Sequence, residues 1–197
     1  MSQPVLFAAK QRIFKAFATL IDYPESKEDI SSQLRMLSKL FASDTNISGK
    51  LDRLEKWADN QRLGYLQEAY TGIFDINSLC SPYIGYYLFG EDYKRSLFIT
   101  GLKEKFRAFK FDRLCGEMPD HLSVILRFLS ELSDYGFYEE LINDALLPSV
   151  GKMISEMNHG ESDVEESRNP NNSSAREFYS LTLSALKKFL ESEVKND

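Results

Sequence analysis

Apolar residues recur three and four positions apart along most of the chain, and strand-like alternation is nearly absent, so the fold is restricted to helices that each bury one stripe. Leu6, Ile13, Phe14, Phe17, Leu20 and Ile21 share the first stripe. It must stop near Tyr23, because Pro24 disfavours helical geometry in the residue before it. Ser26 with Asp29 resembles a capping box, and Ile30, Leu34, Leu37 and Phe41 carry a second helix. A polar loop is expected around Asp44 to Gly49. Leu51, Leu54, Ala58, Leu66, Tyr70, Ile73 and Phe74 then predict one long third helix, bent near Gly64 and ending near Asp75.

Asn77 to Gly90 holds Pro82, Gly85 and Gly90 among the aromatics Tyr83, Tyr86, Tyr87 and Phe89, which predicts a structured loop of a length that tends to be functional. Glu91 and Asp92 suit the first turn of a fourth helix with Phe98, Leu102, Phe106 and Phe109 inward and its bases outward. Pro119 fits the first position of a fifth, carrying Leu122, Ile125, Leu126, Leu129 and Leu132 at core spacing. Phe137 to Leu147 reads as helix, Pro148 predicts a kink or split, and Val150, Met153, Ile154 and Met157 resume the pattern. The acidic, Asn- and Ser-rich stretch 158–173 is expected to be a mobile loop. Ser174 with Glu177 forms a second capping box before a last helix on Phe178, Leu181, Ala185, Leu186 and Phe189. With no internal repeat, the expectation is an all-α, single-domain bundle of about six to eight helices.

The 197 residues are 43% hydrophobic and 27% charged, which suits one soluble domain and excludes global disorder. Every apolar stretch is broken well short of the roughly 18 residues that a membrane span needs. Phe7 to Leu20 carries Lys10, Arg12 and Lys15 without an acid, as transit peptides do, yet its spacing suits an ordinary first helix. No signal peptide precedes Cys80 and Cys115 and they show no C-x-x-C spacing, so both are expected reduced and buried in a cytoplasmic protein. A net charge of −6 argues against nucleic acid as a partner. The charge is uneven: Lys94 to Arg113 has seven bases against two acids, and Glu131 to Glu166 has ten acids against one base.

Sequence signals for catalysis are sparse. His121 and His159 lie far apart with no cysteine nearby, so no metal is expected, and no cofactor is implied. No G-x-S-x-G, P-loop or G-x-G-x-x-G occurs. The sharpest local feature is Gly116-Glu117-Met118-Pro119-Asp120-His121. A helix start explains it without a ligand, with Asp120 in the first turn facing the positive end of the macrodipole. His121 beside Asp120 adds an ion pair whose state can change near neutral pH. In the aromatic loop, Tyr83 and Tyr86 offer ring faces beside hydroxyls, which make good peptide-binding walls.

Glu117-Met118-Pro119-Asp120-His121-Leu122 resembles the E-x-P-D-H-L signature of the TorD/DmsD/NarJ chaperones, with Met118 where Leu is more usual. Tyr70-x-x-x-Phe74-Asp75 resembles the Y-x-x-x-F-D element of that family's nitrate-reductase-assembly branch, and Gly90-Glu91-Asp92 with Arg95 echoes its acidic turn. The resemblance implies a TorD-like helical fold and no enzymatic activity. It implies a cytoplasmic chaperone that binds the N-terminal or leader peptide of an apo-molybdoenzyme catalytic subunit until the molybdenum cofactor is inserted. Molybdenum-cofactor biosynthesis proteins would be further partners. Glu117, Met118, Pro119, Asp120 and His121 would then belong to the peptide-binding set, with Tyr70 and Asp75 from the second element. Such clients often carry an Arg-Arg leader, which the acidic stretch Glu131 to Glu166 would complement. Two other readings stay open: a regulatory adaptor that binds an unrelated helix, and a hydrolase or nucleotide-binding protein built around His121.

Overall fold

Capping side chains set where several helices begin in the computed structural model, which describes residues 3–75, 79–159 and 170–194. The order is α1 (Gln3–Ile21), α2 (Lys27–Leu40), α3 (Thr45–Asp59), α4 (Leu63–Phe74), α5 (Ile84–Phe89), α6 (Tyr93–Ala108), α7 (Leu122–Leu129), α8 (Tyr135–Glu140), a π turn (Leu141–Leu146), α9 (Leu147–His159) and α10 (Pro170–Val194). Among the described residues there is no β-strand, and one isolated antiparallel bridge joins Tyr83 to His121. The chain divides into two compact units: Met1–Ala18 with Pro82–Lys152 and Lys187–Asp197, and Thr19–Ser81 with Met153–Leu186.

In the Thr19–Ser81 unit, Ser26 Oγ accepts from the Asp29 N–H at 3.1 Å and starts α2, as its capping pattern predicts. Asp44, expected in a loop, instead caps α3 by accepting from the N–H groups of Asn46 and Ile47, and Gly49 lies inside that helix. Ile30, Leu34 and Leu37 of α2 and Leu51, Leu54 and Ala58 of α3 are buried. The hydroxyls of Ser31 and Ser38 donate to Asp59 and Asp52, each at 2.5 Å, so the two helices run antiparallel. The long helix expected from Leu51 to Phe74 is two helices. Asn60 Nδ2 donates to the Lys56 carbonyl at 2.7 Å and ends α3 before Gly64 is reached, an amide competing with the backbone ladder. Tyr70 and Phe74 of α4 meet Tyr179 of α10 at 6.4 and 4.8 Å between ring centroids, and Trp57 meets Phe178 at 5.1 Å. Helix α10 begins at Pro170, so Ser174 and Glu177 are interior rather than capping. Of the expected mobile loop, 158–159 close α9 and 170–173 open α10, while 160–169 lie outside the described residues.

In the unit containing Pro82–Lys152, Asp92 caps α6 through the Lys94 N–H at 2.9 Å. Residues 76–78 lie outside the described set, and the second half of the expected aromatic loop is helix α5, ended by Gly90 at φ +63°. The buried α6 residues are Leu102 and Phe106, while Phe109 is exposed at the helix end. Phe106, Phe111 and Phe128 pack at 4.7 to 5.3 Å between centroids, and Phe14 meets Phe189 at 5.1 Å. Pro148 does not break the chain into separate helices. The π turn precedes it, with the Leu147 N–H bonded to the Ile142 carbonyl, and this wider ladder carries the helix past a residue that has no N–H to give. Cys80 is buried, whereas Cys115, expected buried, is exposed at φ +52° in the turn before Gly116.

Candidate functional site

The motif from Glu117 to His121 is a turn, not the opening of a helix. Pro119 and Asp120 precede α7, and His121 is its N-cap. The Ser123 N–H donates to His121 Nδ1 at 3.2 Å, which makes Nδ1 an acceptor and leaves Nε2 to carry the ring proton. Ser123 Oγ lies 2.8 Å from the same nitrogen and accepts from Arg127 at 3.3 Å. Asp120 and His121 are both fully buried, and Asp120 lies ahead of α7 rather than in its expected place in the helix's first turn. Asp120 also pairs with Arg95 of α6 rather than with His121: Arg95 Nε donates to Asp120 Oδ2 at 2.9 Å. Its second oxygen, Oδ1, is buried without a hydrogen bond among the described residues.

Tyr83 completes the cluster. The Ile84 N–H donates to the Asp120 carbonyl at 2.8 Å and the Leu122 N–H to the Pro82 carbonyl at 2.9 Å, tying 82–84 to 120–122. The Tyr83 hydroxyl donates to Glu117 at 3.3 Å, its ring meets the His121 ring edge-on at 5.3 Å, and the Arg95 guanidinium lies 5.4 Å from its centroid. Burial, then the charge of Glu117 and the hydrogen bond to it, then Asp120, push the Tyr83 phenol above its ordinary value, with Arg95 opposing. Gly85 leaves room for the pair. A Cβ there would stand 2.6 Å from Asp120 Oδ2 and 3.2 Å from Arg95 Cγ.

The structure therefore gathers Glu117, Asp120, His121 and Tyr83, with Met118 exposed and Pro119 buried in the same turn. Tyr86 is exposed on α5 and its ring meets Tyr87. Tyr70 and Asp75 belong to the other unit, where Tyr70 is buried in the aromatic cluster and Asp75 is exposed at the end of α4. Sequence reading missed Arg95 as the partner of Asp120, although the acidic turn Gly90 to Asp92 drew attention to its neighbourhood. It also missed a groove of about 360 Å³ lined from α5, α6, α8 and the π turn, with Phe89, Phe98, Leu102, Phe137 and Leu141 as its apolar surface. Among the described residues no three His, Cys, Asp or Glu side chains group as metal ligands, and no helix is long and apolar enough to cross a membrane.

These features define an all-helical protein whose Glu117–His121 turn is locked by the ion pair of buried Asp120 with Arg95. Residues 42–150 match the model of the nitrate reductase delta subunit family, a span that holds both the Tyr70–Asp75 element and the Glu117–Leu122 turn, and the chain belongs to that family. The resemblance drawn from those two elements and from Gly90-Glu91-Asp92 with Arg95, which lies in the same span, and its nitrate-reductase branch, are borne out. A solved structure assigned to a redox enzyme maturation protein of Archaeoglobus fulgidus shares the fold, with TM-score 0.55 and 22% identity over 92% of this chain and 93% of that one. No curated protein matches the sequence.

Proposed function

We propose that the chain is a cytoplasmic maturation chaperone that binds the N-terminal segment of an apo-molybdoenzyme catalytic subunit and holds it until the molybdenum cofactor is inserted. It does no chemistry of its own in this role. The observation that carries the reading is the family match over 42–150, which covers all three sequence elements on which the resemblance rests. The locked turn is consistent with it: Asp120 committed to Arg95, and His121 to the Ser123 N–H, give the turn one fixed surface. Within the turn, Tyr83, Glu117 and Met118 are the side chains a peptide can reach, while Asp120 and His121 hold them in position.

The test is affinity capture of the cognate catalytic subunit by the full-length chain. Apo subunit with its N-terminal segment is expected to be retained, and apo subunit lacking that segment, or the cofactor-loaded enzyme, to pass through. Equal retention of all three, or of none, contradicts the reading.

A further inference from the structure

Helix α6 buries Leu102 and Phe106, and its opposite face carries the two most exposed large apolar side chains among the described residues, Tyr93 at 69% and Leu97 at 63%. They stand one turn apart on the outer ridge, and neither side chain makes a hydrogen bond, ion pair or ring contact among the described residues. Bases line both flanks of that ridge. Helical spacing places Lys103 and Arg107 along one flank and Lys94 and Lys105 along the other, with Lys110 just past the helix end. All of them are exposed. Lys105 lies over the Phe137 ring, and the charged groups of Lys94, Lys103, Arg107 and Lys110 are unpaired among the described residues. The acid on this face is Glu104, about two turns beyond Leu97. Glu91 and Asp92 precede the helix, where Asp92 accepts from the Lys94 N–H and faces the positive end of the macrodipole.

The chain carries a net charge of −6, yet an anionic partner approaching α6 meets positive charge first, since screening over about 8 Å hides the more distant acids. On their own, two protruding side chains give a folded protein far less than the roughly 800 Å² per partner that a stable interface buries. A bilayer surface asks for less. It takes a Tyr and a Leu at headgroup depth, while the stems of flanking Lys and Arg lie along the apolar boundary and their charges reach the lipid phosphates. We propose that the outer face of α6 docks on an anionic lipid bilayer, with the helix parallel to the surface, Tyr93 and Leu97 at headgroup depth and Lys94, Lys103, Arg107 and Lys110 against lipid phosphates. No described helix is long and apolar enough to cross a membrane, so this contact is peripheral. It makes no use of the client, and it stands or falls separately from the chaperone reading.

The experiment is vesicle flotation of the full-length chain with phosphatidylcholine vesicles, alone and with about a third of the lipid replaced by phosphatidylglycerol. The chain is expected to float with the anionic vesicles, to stay behind with the neutral ones, and to leave the anionic ones as salt rises. Tyr93→Ser with Leu97→Ser, and separately Lys103→Gln with Arg107→Gln, should each weaken partition by about tenfold or more at an unchanged Tm, because all four side chains are exposed. Soluble glycerol phosphate should not compete, since it offers no interface. Equal flotation with both lipid mixtures, no flotation with either, competition by glycerol phosphate, or anionic binding untouched by either pair of substitutions overturns the proposal. So does a Tyr93→Ser, Leu97→Ser variant that floats normally but no longer captures the catalytic subunit, which makes the face a protein contact instead.

Discussion

Arg95 Nε donates to Asp120 Oδ2 at 2.9 Å across an uneven boundary, with the aspartate side chain fully buried and the arginine side chain 26% exposed. The two ends of this pair therefore differ in what their loss leaves behind. Arg95→Met strands a buried carboxylate and is expected to cost about 3–5 kcal/mol. Asp120→Asn keeps a hydrogen-bond acceptor and frees a guanidinium that water can reach, so a smaller loss of about 1.5–3 kcal/mol is expected. Urea denaturation of the two variants checks the order, and an equal or reversed ranking contradicts it.

Gly85 and Gly101 are both helical, and the space around them predicts opposite responses to the same change. Gly85→Ala drives a methyl group against Asp120 Oδ2, Arg95 Cγ and Phe98 Cδ1, and is expected to cost about 1–3 kcal/mol. Gly101→Ala enters open space and is expected to gain about 0.5–1 kcal/mol. Thermal melts of the two variants should shift in opposite directions from wild type. A gain at Gly85 would remove the steric basis of the locked turn.

Three tyrosines give the fold an alkaline limit. Tyr83, Tyr179 and Tyr65 all have raised phenol pKa values, in each case mainly through burial, with Glu117, Tyr70 and Glu68 respectively as the next cause. A tyrosine whose folded pKa lies above its unfolded value of about 10 contributes stability that is complete below that pH and is lost as pH rises through the folded value. Stability should therefore fall across the alkaline range, and less steeply in Tyr83→Phe and Tyr179→Phe. Urea midpoints from about pH 8 to 11.5 measure this, and unchanged slopes in both variants contradict it.

What could be read from the sequence was whatever depends on spacing within one helix. Ile30, Leu34 and Leu37 of α2 and Leu122, Ile125, Leu126 and Leu129 of α7 recur at core intervals and are buried as expected. What could not be read depends on competition between local signals. Pro119 looks like a first helical residue, but the bridge between Tyr83 and His121 delays α7 and makes His121 its cap. Pro148 looks like a break until the π turn before it supplies a wider ladder. The ion pair of Arg95 with Asp120, and the groove assembled from residues between Leu88 and Ala145, arise only once distant segments pack, so neither leaves a spacing to find.

The proposed hold on a client by its N-terminal segment is checked by calorimetric titration of that segment's peptide into the full-length protein. Saturable binding of one peptide per chain is expected, with a negative heat-capacity change from apolar burial and an affinity that falls as salt rises. A scrambled peptide of the same composition should give no saturable heat. Absence of binding by the native peptide, or equal binding by the scrambled one, would contradict the proposed role.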